Sequence, residues 1–72
     1  MIKLTLSTDG ETARYIGDVY GYTTRKTAIS AGRREAERRN NCIISVVDVG
    51  DNYSRILHTI TVKDNTITEK RF

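Results

Sequence analysis

Apolar and polar residues alternate through the first seven positions, where Ile2, Leu4 and Leu6 are separated by Lys3, Thr5 and Ser7. This is the period of a strand with one buried face. Asp9-Gly10 follows, a pair that tolerates positive φ at both positions and so predicts a two-residue type I′ turn. Such a turn sets Thr8 opposite Glu11, Leu6 opposite Ala13 and Leu4 opposite Tyr15, with a second strand running from Thr12 to Tyr22. Gly17 and Gly21 fall inside that stretch. Glycine within a strand predicts a bend, placed here near Gly17.

From Thr24 to Asn40 the period becomes helical, in TRKTAISAGRREAERRN. Thr24 is the expected N-cap, its hydroxyl able to accept an otherwise unpaired backbone N–H of the first turn. At 100° per residue, Ala28, Ile29, Gly32 and Ala36 gather within about a third of the circle. Small residues there let the helix lie close to a sheet. The opposite side displays Lys26, Ser30, Arg33, Arg34, Glu37 and Arg38, while Arg25 and Arg39 flank the stripe with their stems over apolar neighbours. Asn40-Asn41 is the expected stop, because asparagine tolerates the left-handed conformation at a helix end.

Cys42 to Val49, CIISVVDV, is rich in β-branched residues and predicts a strand buried on most of both faces. Gly50-Asp51-Asn52 is turn chemistry. Alternation resumes from Arg55 to Lys63, with Ile56, His58, Ile60 and Val62 on one side and Arg55, Leu57, Thr59, Thr61 and Lys63 on the other. Asp64-Asn65 predicts a second tight turn that pairs Val62 with Ile67 and Thr61 with Thr68. The last strand, Thr66 to Phe72, is short and charged, as suits a sheet edge. The expected order is ββαβββ, an α+β fold with one basic amphipathic helix packed on a four- to five-stranded antiparallel sheet. Residues 1–72 form a single domain.

A chain of 72 residues with 38% hydrophobic and 29% charged residues has the composition of a folded protein rather than a disordered tail. No apolar run approaches the roughly 18 residues needed to span a bilayer, and MIKLTLSTDG lacks the apolar core of a secretion signal. The expected location is the cytoplasm, without membrane attachment. Cys42, the lone cysteine, has no partner for a disulfide or a metal site and is expected to act as a small buried hydrophobe.

Charge changes the picture more. The net charge of +3 is unevenly spread. Arg25, Lys26, Arg33, Arg34, Arg38 and Arg39 stand against Glu35 and Glu37 in the helix, whereas acidic and basic residues nearly cancel elsewhere. Arg25 and Lys26 occupy the first turn, where the helix dipole disfavours cations by about 0.3–1 kcal/mol each. Arg34 and Arg38, four apart, repel. Glu35 with Arg39 and Arg33 with Glu37 offset part of this at about 0.2–0.5 kcal/mol per pair. An arrangement that stability alone does not favour marks a candidate functional surface.

Catalytic chemistry finds little support. His58 is the lone histidine, the residue type suited to acid–base work, and it falls on a mostly apolar strand face that suits a structural histidine. Ser54 is four strand positions away, roughly 13 Å, too far to share a proton with it. Asp48, Asp51 and Asp64 lie at turns. The chain has no glycine-rich phosphate loop, zinc-ligand spacing or paired carboxylates, so a non-enzymatic protein without cofactor or metal is expected.

Binding chemistry fits better. Six helix cations suit phosphates, and arginine's planar fork matches phosphate oxygens. Tyr20 and Tyr22 precede the helix, where they can stack on bases beside Arg25 and Lys26. The expected binding residues are therefore Lys26, Arg33, Arg34 and Arg38, with Arg25, Tyr20 and Tyr22 at one end. The partner class is a nucleic acid or an acidic protein or nucleoprotein surface. The alternative is a small structural or regulatory protein that forms a homodimer or larger homo-oligomer through an edge strand or the apolar residues of CIISVVDV.

With an arginine-rich helix, TRKTAISAGRREAERR, between a leading hairpin and a trailing meander ending ITVKDNTITEKRF, the chain resembles the small α+β proteins encoded by bacteriophages, anti-CRISPR proteins among them. The resemblance implies a non-enzymatic inhibitor, acting in the host cytoplasm, that docks on a host nucleoprotein complex. Many such inhibitors are acidic mimics of nucleic acid. This chain is basic, which favours binding to nucleic acid or to an acidic patch instead.

Overall fold

The register of the sheet decides which side chains meet the helix, and it is visible in a computed structural model that describes residues 1–72. The strands are β1 (Ile2–Ser7), β2 (Ala13–Ile16), β3 (Cys42–Val49), β4 (Ser54–Lys63) and β5 (Thr66–Arg71), with helix α1 (Arg25–Glu37) between β2 and β3. All five strands join one antiparallel sheet in the order β2-β1-β3-β4-β5. One face is covered by α1, which packs on β1, β3 and β4; the fold is α+β.

Leu6, Ile44 and Ile60 form one row across β1, β3 and β4, flanked by Leu4 with Val46 and by Cys42 with Val62. Leu4, Ile44, Val46 and Ile60 are fully buried, each stabilising by about 1.5–3 kcal/mol relative to exposure. From above, Ala28, Ala31, Gly32 and Ala36 close the core. Ala31 extends the expected stripe, and Ile29 lies at its half-buried margin. A Cβ on Gly32 would stand 3.0 Å from Ile60 Cδ1 and 3.6 Å from both Ile44 Cγ2 and Leu4 Cδ2. The helix therefore approaches the sheet closely enough that a side chain at this position would be crowded by Ile60.

The helix begins as its sequence predicts. Thr24 is extended (φ −132°, ψ 156°) and its Oγ1 accepts the Thr27 N–H at 3.1 Å. At the other end Asn41 adopts φ 54°. Asn40 Oδ1 accepts the Asn65 N–H at 2.9 Å, and Asn41 Oδ1 accepts that of Asp64 at 3.2 Å. These bonds tie the helix exit to the β4–β5 turn, where Asp64 and Asn65 both take positive φ and pair Val62 with Ile67 and Thr61 with Thr68 as expected.

Several expectations are corrected. The β1–β2 turn is longer than two residues, and Leu6 faces Arg14 while Leu4 faces Ile16. Asp9 Oδ1 accepts the N–H groups of Glu11 and Thr12, each at 2.8 Å, which holds the chain in a side-chain-closed loop rather than a type I′ turn. This one-residue slip moves Ala13 and Tyr15 to the open face, where Lys3 Nζ sits 5.1 Å from the Tyr15 ring. β2 is also short. It ends at Ile16 because Gly17 takes φ 76°, and a turn closed by the Gly21 N–H to Asp18 O bond leads back to an isolated bridge between Tyr22 and Ile2.

In β4, the pairs Val46↔His58 and Val47↔Ile56 leave Leu57 as an extra residue. The bulge turns Leu57 and His58 both inward and leaves Ile56 exposed. Likewise, β3 is more deeply buried on the helix side. Its other face, on the uncovered side of the sheet, carries half-buried Ile43 and Ser45 beside buried Val47.

Candidate nucleic-acid interface

The helix cations divide between the two flanks of α1. At 100° per residue Lys26 and Arg33 lie about 20° apart, whereas Arg33 and Arg38 lie about 140° apart. Lys26 and Arg33 lean over β4 and β5, whereas Arg38, with Arg34, leans over the β2 side.

On the β2 side, Arg34 and Arg38 line a depression with Glu35, Glu37, Gly17, Tyr22 and Ala31. Glu35 forms an ion pair with Arg38 and a second, at 3.4 Å, with Arg39. Arg34 has no carboxylate partner. Positive and negative charges therefore interleave on this flank.

The other flank differs. Arg25, Lys26, Ser30 and Arg33 from α1 face Arg71 from β5 across a groove of about 470 Å³, and half-buried Ile29 and buried His58 form its floor. No carboxylate lines it. Arg25, Lys26 and Arg71 make no salt bridge, so their charge is directed to solvent and to whatever enters.

One carboxylate outside the lining holds two of its residues. Glu69 on β5 accepts from Arg33 through Nε at 3.0 Å to Oε2 and through Nη2 at 3.0 Å to Oε1. Its Oε1 also lies 2.7 Å from His58 Nε2. The Arg33 hydrogen bonds, then the His58 contact, hold Glu69 below its ordinary carboxylate range, and Glu69 in turn raises the Arg33 guanidinium. An ionised carboxylate only accepts, so His58 carries a proton on Nε2. His58 Nδ1 is buried and has no hydrogen-bond partner.

The two tyrosines have different surroundings. Tyr20 is 84% exposed in the turn before the helix, where its ring is open to stacking. Tyr22 is half-buried against the core, and its hydroxyl accepts the Asp18 N–H at 3.0 Å. Structural packing thus occupies Tyr22. Cys42 is 5% exposed and burial pushes its thiol up, as suits an inert core residue.

Arg71 and Glu69 were not among the residues the sequence singled out, although a signal existed. Counting back from the Asp64-Asn65 turn places Ile60 opposite Glu69 and His58 opposite Arg71. That register alone brings the strand's acid, its terminal arginine and the histidine to one face. No three His, Cys, Asp or Glu side chains converge as metal ligands, and no helix is long and apolar enough to cross a membrane. Comparison with protein-family models, curated proteins and solved structures gives no match to this chain.

Proposed function

We propose that the protein is a non-catalytic binding module whose basic helix engages a nucleic acid or a nucleoprotein complex. The observation that carries this reading is the groove between α1 and β5, with Arg25, Lys26, Arg33 and Arg71 around it and no carboxylate in its lining. Like charges drawn together around one concavity repel unless a counterion or ligand joins them. With Arg33 paired to Glu69, the three unpaired cations so placed suit phosphates better than they suit stability. Arg34 and Arg38 extend the positive surface around the helix, and Tyr20 offers a stacking ring at its start. In biological terms we assign the role of a phage-encoded inhibitor that occupies a host nucleoprotein of CRISPR type in the host cytoplasm. Its support is the chain's size and its succession of elements, with the basic groove as the docking surface.

A mobility-shift titration with single- and double-stranded oligonucleotides at two salt concentrations tests the binding reading. Several phosphate contacts predict affinity that falls steeply between low and physiological salt, with a slope of about −0.7 to −0.9 per contact. Salt-independent binding, or none, contradicts it. A second reading, self-association, draws on β5, whose residues are all exposed and which forms one sheet edge. A stable dimer in gel filtration at every salt concentration would favour it, although the Glu69, Lys70 and Arg71 charges on that edge oppose strand addition.

A further inference from the structure

We infer that the groove between α1 and β5 is a site for a phosphate monoester, the terminal phosphate of a nucleic acid chain or of a nucleotide, rather than for an internal phosphodiester. The inference rests on the binding reading above and adds to it the chemical group that is recognised.

Charge is the first reason. A phosphodiester brings one negative charge, whereas a monoester brings about 1.5–2 near neutrality and three terminal oxygens. Arg25 and Lys26 on one wall and Arg71 on the other are unpaired and converge on one concavity, with Arg33 behind them already committed to Glu69. Arginine forks on opposite walls can each take two oxygens of one group. A backbone passing over the surface would meet them only in sequence.

Shape agrees. The groove, at about 470 Å³, falls within the roughly 300–1,000 Å³ range of small-molecule sites. It has room for a terminal nucleotide as well as its phosphate. The Ser30 hydroxyl and the apolar side of Ile29 in the lining supply a hydrogen-bonding group and a surface for the attached sugar.

His58 separates the two phosphate classes. Glu69 takes the Nε2 proton, and Nδ1 is left buried and without a partner in a residue only 7% exposed that lines the groove. A buried ring nitrogen in this state lacks the partner that nearly all such atoms have. A phosphodiester can only accept, and so meets Nδ1 only when the ring carries a second proton. A phosphate monoester, whose second ionisation lies near pH 6, can accept as the dianion or donate as the monoanion, and so suits either state of the ring. The histidine that the strand pattern marks as structural then has a use for each ring nitrogen.

The test is fluorescence anisotropy with one oligonucleotide sequence carrying a 5′-phosphate, a 3′-phosphate or hydroxyls at both ends, with adenosine monophosphate titrated separately by calorimetry. Variants Lys26→Ala and Arg71→Ala alter exposed side chains and keep the fold, and His58→Gln is checked by circular dichroism before use. One phosphorylated end is expected to bind about tenfold tighter than the hydroxyl-ended chain. Arg71→Ala should remove that preference. Folded His58→Gln should lower it by a larger factor than it lowers hydroxyl-ended binding. Equal affinity for all three ends, weakened by Arg71→Ala, overturns the monoester assignment and leaves nucleic-acid binding in place. Binding of adenosine monophosphate without any oligonucleotide binding supports the phosphate site and removes the nucleic-acid reading. Failure of every ligand overturns both.

Discussion

Glu69 reaches from the edge strand to two partners at once, and its charge is matched to a guanidinium on one side and an imidazole N–H on the other. Replacing it by glutamine leaves Arg33 without its partner and weakens the hold on His58. Glu69→Gln is therefore expected to lower stability by about 1 kcal/mol after allowance for the partly exposed site. That corresponds to a fall of about 4–8 °C in melting temperature. The sign of the pH effect follows from the direction of the shift. A carboxylate whose folded-state pKa is depressed contributes stability that is complete above its ordinary pKa of 4.5 and is lost as pH falls through the lower folded value. Urea midpoints measured from pH 7 down to pH 3 should drop in the wild type and drop less in Glu69→Gln. Parallel curves would show that Glu69 carries no linked stability. Asp9 is depressed for a different reason, the two backbone N–H groups of its own loop. Asp9→Ala should loosen the β1–β2 loop, read as faster amide exchange at Glu11 and Thr12; unchanged exchange would show that the carboxylate does not hold it.

At the level of elements, the docking of α1 depends on its small residues. Gly32→Leu places a branched side chain against Ile60, Ile44 and Leu4, where even a Cβ is tight, and is expected to cost about 1–3 kcal/mol or more. A variant that unfolds at the wild-type urea midpoint would place Gly32 away from the sheet. Thr24→Ala should cost about 1 kcal/mol through the lost cap. Where the sequence is legible and where it is not has a physical basis in these same elements. Thr24, the alanine-glycine stripe and the Asp64-Asn65 turn act over three or four residues, and their local chemistry admits one solution. The Asp9 loop offers two, a type I′ turn or a loop closed by the carboxylate, and the second shifts every side chain of β2 to the other face. The β4 bulge is hidden because Ile56 and Leu57 are both apolar, so either parity satisfies the pattern. Alternation could place His58 inside the sheet, yet neither the Glu69 contact nor the unpartnered Nδ1 can be read without the β4–β5 register.

For the whole molecule, the electrostatic asymmetry anticipated from charge counts acquires a more specific form. The six helix cations do not make one face. Arg38 and Arg39 share Glu35, Arg33 is held by Glu69, and Arg34 stands among glutamates. Arg25 and Lys26 instead join Arg71 from the last strand, a residue 45 or more positions away in the chain that charge clustering along the sequence does not connect to them. In the proposed binding reading, the remainder of the helix supplies long-range attraction and the groove supplies contact. The most direct test is to compare two charge reversals by oligonucleotide titration at one fixed, physiological salt concentration. Lys26→Glu with Arg71→Glu places two carboxylates in the groove, and Arg34→Glu with Arg38→Glu changes total charge equally on the other flank. The account predicts that the groove pair abolishes binding while the flank pair weakens it by about tenfold or less, each with a wild-type circular dichroism spectrum. Equal losses from the two pairs, or a larger loss from the flank pair, would contradict it.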